Sequence, residues 1–410
     1  MTRRFAAATA AAALTCASVS AADWHQFRGP TRDGKSADTG LMKAWPNGGP
    51  KCIWTAKGIG YGFSTVTIRD GLVYTTGVVG EDLKLTALAM DGTTKWRVTH
   101  GRGWSRDRPG SRAIPTIDGD HLYLMSGHGL LRQYDRKTGE PGWQVNLPRT
   151  FSARVPMWGY SESVLIDGKN LICTPGGRDA CLVALNKATG EAVWRSKGLS
   201  DTASHASPIL FETGGVRQIA NITKKGLVCV EAGTGRYLWR YNRVVPARRP
   251  SCSDALYADG MVFGASGYRT GGGAVRLTVV GRQVTAAQVW ETTDMVNHHG
   301  GMILLDGALY GYSDGDGWTC LDFRTGKVNW KAPGVGKGSV TYADGLLYCY
   351  AEKDGTTALV KASPETYEEV SRFKVPSGGK GPYWAYPVVC GGRLYVRHAE
   401  RLYAYNVKAE

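Results

Sequence analysis

The chain reads as an all-β protein, an eight-bladed β-propeller of four-stranded antiparallel blades. Two independent markers predict it, and each counts eight. An aromatic residue recurs every 40 to 51 residues, at Trp54, Trp96, Trp143, Trp194, Trp239, Trp290, Trp330 and Phe373. A tight-turn dipeptide keeps step with it, at Asp70-Gly71, Asp118-Gly119, Asp167-Gly168, Gly214-Gly215, Asp259-Gly260, Asp306-Gly307, Asp344-Gly345 and Gly391-Gly392. A fixed period of this length marks a repeat architecture. Composition agrees: 55 Gly, 13 Trp and 20 Tyr, against 8 Met and 8 Phe, favour short strands and tight turns over helices.

Residues 1–22 read as an export signal. Arg3 and Arg4 precede a small apolar run from Phe5 to Ala17, and Val19-Ser20-Ala21 offers a cleavage site. Lipidation at Cys16 is the alternative, although Ala13-Leu14-Thr15 before it is a poor lipoprotein signal. No later segment has 18 consecutive apolar residues, so a soluble or peripheral protein of the periplasm or cell exterior is expected. Residues 23–50 form an N-terminal arm, and residues 51–410 the propeller.

Each repeat reads as strand, Asp-Gly turn, strand, loop, strand, Thr-Gly turn, and a strand carrying Trp. The third unit is the clearest, from Ser163 through Asp167-Gly168 to Thr189-Gly190 and Trp194. Glycine reaches positive φ at no steric cost, which suits two-residue hairpins. A lone blade cannot bury both faces, and a ring of blades buries them against one another. The last unit has only three strands, whereas Lys51-Cys-Ile-Trp54 precedes the first and carries an unmatched Trp. That segment is expected to supply the missing outer strand and fasten the ring.

Aligning the Thr-Gly turns places Cys229 and Cys320 where Ala87 and Ala184 sit, a position for a small apolar group. Cys349 and Cys390 lie in apolar strand runs. Cys173 and Cys181 flank a short hairpin loop, where a cross-strand disulfide is the alternative to free thiols.

Antiparallel strands reverse direction, so both kinds of tight turn lie on one face. The longer segments, 101–111, 147–160, 241–253 and 375–385, lie on the other, where function is expected. Side chains at the start of each innermost strand should converge on the channel mouth there. In order they are Tyr61 and Phe63; Arg112; Trp158, Tyr160 and Glu162; His205; Asp254; His298 and His299; Lys337; Trp384 and Tyr386. The candidate ligand-binding set is Arg112, Trp158, Tyr160, Glu162, His205, Asp254, His298, His299, Trp384 and Tyr386. His205, Asp254 and His298 or His299 also admit a metal site, although none is assigned. The linking segments add Arg102, Arg106, Arg108, Arg149, Arg154, Arg240, Arg243, Arg248 and Arg249. With a formal charge of +15, these suggest an anionic partner, a small molecule or a glycan, since arginine forks recognise carboxylate, sulfate and phosphate. Asp314-Gly-Asp-Gly317 reads as a hairpin loop, because Thr325 stands where a calcium loop needs its last acid. No Ser-His-Asp order or phosphate loop is defensible, and nucleic acid is an improbable specific target for an exported chain.

The pattern Leu-x-Ala-Leu-x-x-x-Thr-Gly-x-x-x-Trp, as at Leu182–Trp194, resembles the repeat of pyrroloquinoline-quinone (PQQ)-type propellers, the quinoprotein alcohol dehydrogenase-like superfamily. Asp23-Trp-His-Gln-Phe-Arg-Gly-Pro-Thr-Arg-Asp-Gly34, with the stretch from Leu41 to Pro50, resembles the opening of exported bacterial proteins carrying that repeat. The resemblance implies the propeller fold. For function it implies either a dehydrogenase or a scaffold subunit of outer-membrane β-barrel assembly, hence a cell-envelope protein as partner. Family dehydrogenases hold their quinone beside adjacent cysteines, and no Cys-Cys occurs here, so no quinone or calcium ligand transfers to a numbered residue. Binding of a ligand or partner at the loop face is the first reading. An enzyme, either PQQ-dependent or moving protons on acidic sugars, is the alternative.

Overall fold

A computed structural model describes residues 23–410, so the export signal expected over 1–22 lies outside the described residues. Eight four-stranded antiparallel sheets follow one another along the chain as blades of a propeller. Blade one runs Thr67–Arg102, two Thr116–Asn146, three Leu165–Arg195, four Ile209–Tyr241, five Leu256–Thr292, six Met302–Ala332 and seven Gly338–Lys374. Blade eight combines Val388–Cys390, Arg393–His398 and Arg401–Asn406 with the early strand Cys52–Ala56. The only helix among the described residues is the single turn Leu147–Thr150.

The predicted closure holds. Cys52–Ala56 pairs antiparallel with Arg401–Asn406, setting Trp54 opposite Ala404. A buried Arg397 locks the seam with blade one, donating to Gly60 O (2.7 Å), Ser64 Oγ (2.8 Å), Thr75 Oγ1 (2.9 Å) and Thr76 O (2.5 Å). Burial lowers its pKa to about 9.

The repeated tryptophans join neighbouring blades. Nε1 of Trp54, Trp143, Trp194, Trp290 and Trp330 donates to a carbonyl of the next blade: Met90, Lys187, Ala232, Phe323 and Ser363, at 2.7 to 3.1 Å. Each of the first four rings also covers the glycine of the following blade's second turn. A Cβ at Gly235 would lie 2.3 Å from the Trp194 ring, so only glycine admits it there. Across the sheet most of these tryptophans face a small partner. Trp96 faces Ala87, Trp194 Ala184, Trp239 Cys229, Trp290 Ala274 and Trp330 Cys320. The packing role expected for Cys229 and Cys320 is therefore met. Cys173 and Cys181 are free. They are buried in different cores, one with Tyr123, Leu171 and Val183, the other with Leu182, Ala184 and Trp194. The disulfide alternative is thereby corrected.

The arm crosses the tight-turn face and reaches into the channel. Trp24 pairs with Ile68 of blade one, and His25 O accepts from Ile117 N of blade two. Arg32 donates to Ser163 O and Val164 O beside blade three. Arg28 donates to Met302 O and Lys35 to Leu304 O of blade six. Ser36 N bonds Tyr342 O of blade seven, and Met42 N bonds Val407 O beyond blade eight. Arg28 and Arg32 are buried by this path. The channel is thereby closed from below.

Candidate functional site

Inner strands begin at the loop face, where their first N–H groups have no strand partner. Side chains of the next blade supply acceptors in a staircase. Ser163 Oγ accepts from Ile114 N (3.1 Å), Ser207 Oγ from Ser163 N (3.1 Å), and Asp254 Oδ1 from Ser207 N (2.6 Å). The staircase fixes the blade starts around one axis, and a cavity of about 440 Å³ opens above it. Its walls include Phe63, Arg108, Arg112, Trp158, His205, Arg249, Cys252, Tyr268, His298, His299 and Trp384, and its floor Phe27 and Tyr386.

Seven of the ten predicted residues meet here: Arg112, Trp158, His205, His298, His299, Trp384 and Tyr386, with Phe63 beside them. Three do not, and each has a packing reason. Tyr160 is buried and donates to Pro175 O (2.8 Å). Glu162 is buried, accepts from Thr174 N (3.0 Å), and is pushed by burial to about 8. Asp254 is the staircase acceptor just described, with its carboxyl pKa raised by burial. The metal alternative built on His205, Asp254 and a second histidine thus lacks its carboxylate. Among the described residues no other three His, Cys, Asp or Glu side chains gather as metal ligands.

Of the loop arginines, Arg108 and Arg249 reach the cavity, while Arg240 pairs with Asp201 and Arg243 with Glu291. Arg108 lies over the Trp384 ring at 5.3 Å, and Arg249 over Trp158 at 5.9 Å and Tyr268 at 5.7 Å. Arg112 is anchored by carbonyls, donating to Trp158 O (2.6 Å), Arg108 O (2.6 Å) and Asp107 O (3.1 Å), and burial lowers its pKa to about 10. The lining contains three arginines, three histidines and no Asp or Glu.

The histidines are held by partners behind the wall. His298 stands between Tyr268 Oη (2.7 Å from Nε2) and Lys337 Nζ (2.8 Å from Nδ1), and Lys337 is paired with Asp314 at 2.8 Å. Burial, the adjacent His299 and Lys337 lower the His298 pKa to about 3, so it is neutral. His299 Nε2 meets Glu352 Oε2 at 2.6 Å, and the same oxygen accepts from Trp384 Nε1 at 2.8 Å. Burial opposes charge on Glu352, but these bonds outweigh it and hold its pKa at about 2. His205 Nδ1 lies 3.7 Å from Cys252 Sγ, and burial and Arg112 lower the imidazole pKa to about 3. Burial raises the Cys252 thiol to about 12, so it is no thiolate nucleophile at neutral pH.

Reading only inner-strand starts missed Phe27, Cys252, Tyr268 and Glu352. Tyr268 follows the second strand of blade five and Glu352 that of blade seven. Those loops open on the same face, so the second-strand ends carried a usable signal. Phe27 belongs to the arm, whose path no repeat predicts.

A family model described as outer membrane protein assembly factor BamB matches residues 81–332, more than half of the chain. The chain belongs to this family. Among solved structures, BamB of Moraxella catarrhalis is 15% identical, with a TM-score of 0.62 over 88% of this chain and 98% of that one. A quinohemoprotein alcohol dehydrogenase of Pseudomonas putida is 14% identical, with a TM-score of 0.61 over 95% and 81%. A computationally designed protein, Ika8, is 10% identical, with a TM-score of 0.57 over 87% and 100%. At these identities the similarity extends to the fold alone. No curated protein matches the chain in sequence. The BamB-family propeller here is PQQ-like in its repeat, yet its cavity does not suit a calcium–quinone pair. A calcium ion takes six to eight oxygen ligands, commonly carboxylates, and this lining offers no carboxylate and three guanidiniums.

Proposed function

We propose that this BamB-family propeller is an exported binding protein that captures an anionic ligand in the loop-face cavity. Arg108, Arg112 and Arg249 hold the oxyanion, and Trp158 and Trp384 flank the rest of the molecule. One observation carries the reading: three guanidiniums line a concave site whose walls hold no carboxylate. A guanidinium fork pairs bidentately with carboxylate, sulfate or phosphate, and low-dielectric walls strengthen that attraction. Aromatic side chains beside the charges supply apolar contact area with fixed orientation.

Calorimetric titration of the purified chain with galacturonate, sulfate and phosphate tests this. At least one anion should bind one per chain, more weakly as salt rises, and at least tenfold more weakly to the Arg108→Ala, Arg249→Ala variant. Absence of binding at millimolar anion, or binding unmoved by that variant, would overturn it. A cell-envelope protein that used this face instead would bind with the cavity arginines removed.

A further inference from the structure

Building on that reading, we infer that the cavity receives the end of an acidic sugar chain, bound end-on, with the Tyr268 hydroxyl as an obligatory hydrogen-bond donor to it. The donor role of Tyr268 follows from hydrogen-bond valence. An ammonium only donates, so Lys337, held by Asp314 at 2.8 Å, fixes His298 Nδ1 as an acceptor. The neutral ring must then carry its proton on Nε2, which donates to Tyr268 Oη at 2.7 Å. With its oxygen occupied by that bond, Tyr268 keeps its own proton for the cavity it lines. The direction of every bond in the chain follows from the lysine charge. Tyr268 and the next residue, Arg269, also hold left-handed backbone, with φ of 59° and 62°, a conformation that costs energy in a non-glycine residue. Arg108, Arg112, Arg249 and Tyr268 thus present only N–H and O–H groups. A sugar bearing a carboxylate or a sulfate ester satisfies them, whereas an amino sugar brings more donors.

The end-on mode follows from the floor. Phe27 packs edge-on against Tyr386 with centroids 5.4 Å apart, and Tyr386 donates to His299 O at 2.5 Å. Arg28 and Arg32 are tied below them to blade six and to the entry of blade three. A polymer cannot thread this channel, so only a terminus or a short fragment enters. The flanking Trp158 and Trp384 suit the apolar face of a pyranose ring.

Calorimetry with oligogalacturonates of two, four and eight units, and sulfated galacto-oligosaccharides of the same lengths, tests both parts. Affinity should level off by four units in one series, and a fluorophore should abolish binding from one chain end only. Affinity that keeps rising with length, or two end-labelled forms binding equally well, would overturn end-on capture. The carboxylated and sulfated series identify the oxyanion. Tyr268→Phe should weaken binding about tenfold. Lys337→Met, which frees His298 to accept from Tyr268, should do the same, and the double variant should be no weaker than either single one. Additive losses, or no loss in Tyr268→Phe, would overturn the donor chain. If sulfate or phosphate binds the cavity but neither oligosaccharide series does, the sugar assignment falls and the anion site stands. If nothing anionic binds, both fall.

Discussion

Glu162 and Arg397 show how an ionisable side chain serves the frame rather than the cavity. Burial keeps the Glu162 carboxyl protonated to about pH 8, whereas in the unfolded chain it ionises near the ordinary glutamate value of 4.5. The folded state therefore binds the extra proton between those values, and stability falls as pH rises from about 4.5 to 8. Glu162→Gln should remove that slope, which amounts to roughly 1.4 kcal/mol per pH unit across the window. Urea melts of both proteins at the two pH values check it. Arg397 has oxygen atoms of Gly60, Ser64, Thr75 and Thr76, in blade one and the segment leading into it, around its guanidinium and no carboxylate. Arg397→Met should cost about 3–5 kcal/mol by stranding those oxygens, read as a lower urea midpoint. Sequence could place Glu162 at an inner-strand start but not choose its direction. Residues two apart on a strand share a face, yet Glu162 precedes its strand, Leu165–Asp167, so no alternation governed it.

Among the elements, strands and turns were legible because their chemistry repeats. Eight aromatic positions and eight dipeptides marked outer strands and hairpins, and the unmatched Trp54 revealed the closing strand. The arm was not legible in this way. Its course depends on Arg28 and Arg32 bonding carbonyls more than a hundred residues away, and a single copy has no period. Trp194 and Gly235 allow a test of the repeat's physics. Gly235→Ala would drive a methyl into the indole and place alanine at a φ of 71°. A loss of about 2–4 kcal/mol is expected, measured by urea denaturation. By contrast, Gly215→Ala, also at positive φ but with open space around it, should cost about 1 kcal/mol.

For the molecule as a whole, pH acts through its buried and half-buried imidazoles. His100, His205 and His298 have pKa values lowered, first by burial, to about 4, 3 and 3. In the unfolded chain they take up protons near pH 6.5, so between about 6.5 and 4 the unfolded state binds more protons than the folded one. Stability must therefore fall as the medium is acidified through that window. The thermal midpoint should drop between pH 6.5 and 4.5, and His100→Gln, whose ring lies outside the cavity, should reduce the drop. An unchanged midpoint would contradict the lowered pKa values of all three.

The seam in blade eight has a consequence for how the protein is made. Its outermost strand, Cys52–Ala56, is synthesised before the seven other blades, and its partner, Arg401–Asn406, after them. The first seven blades can form in order of synthesis, but the eighth has to wait for Arg401–Asn406. A frameshift or stop codon just before Arg401 would therefore be about as damaging as one near the middle, because it leaves every other blade in a ring that cannot be sealed.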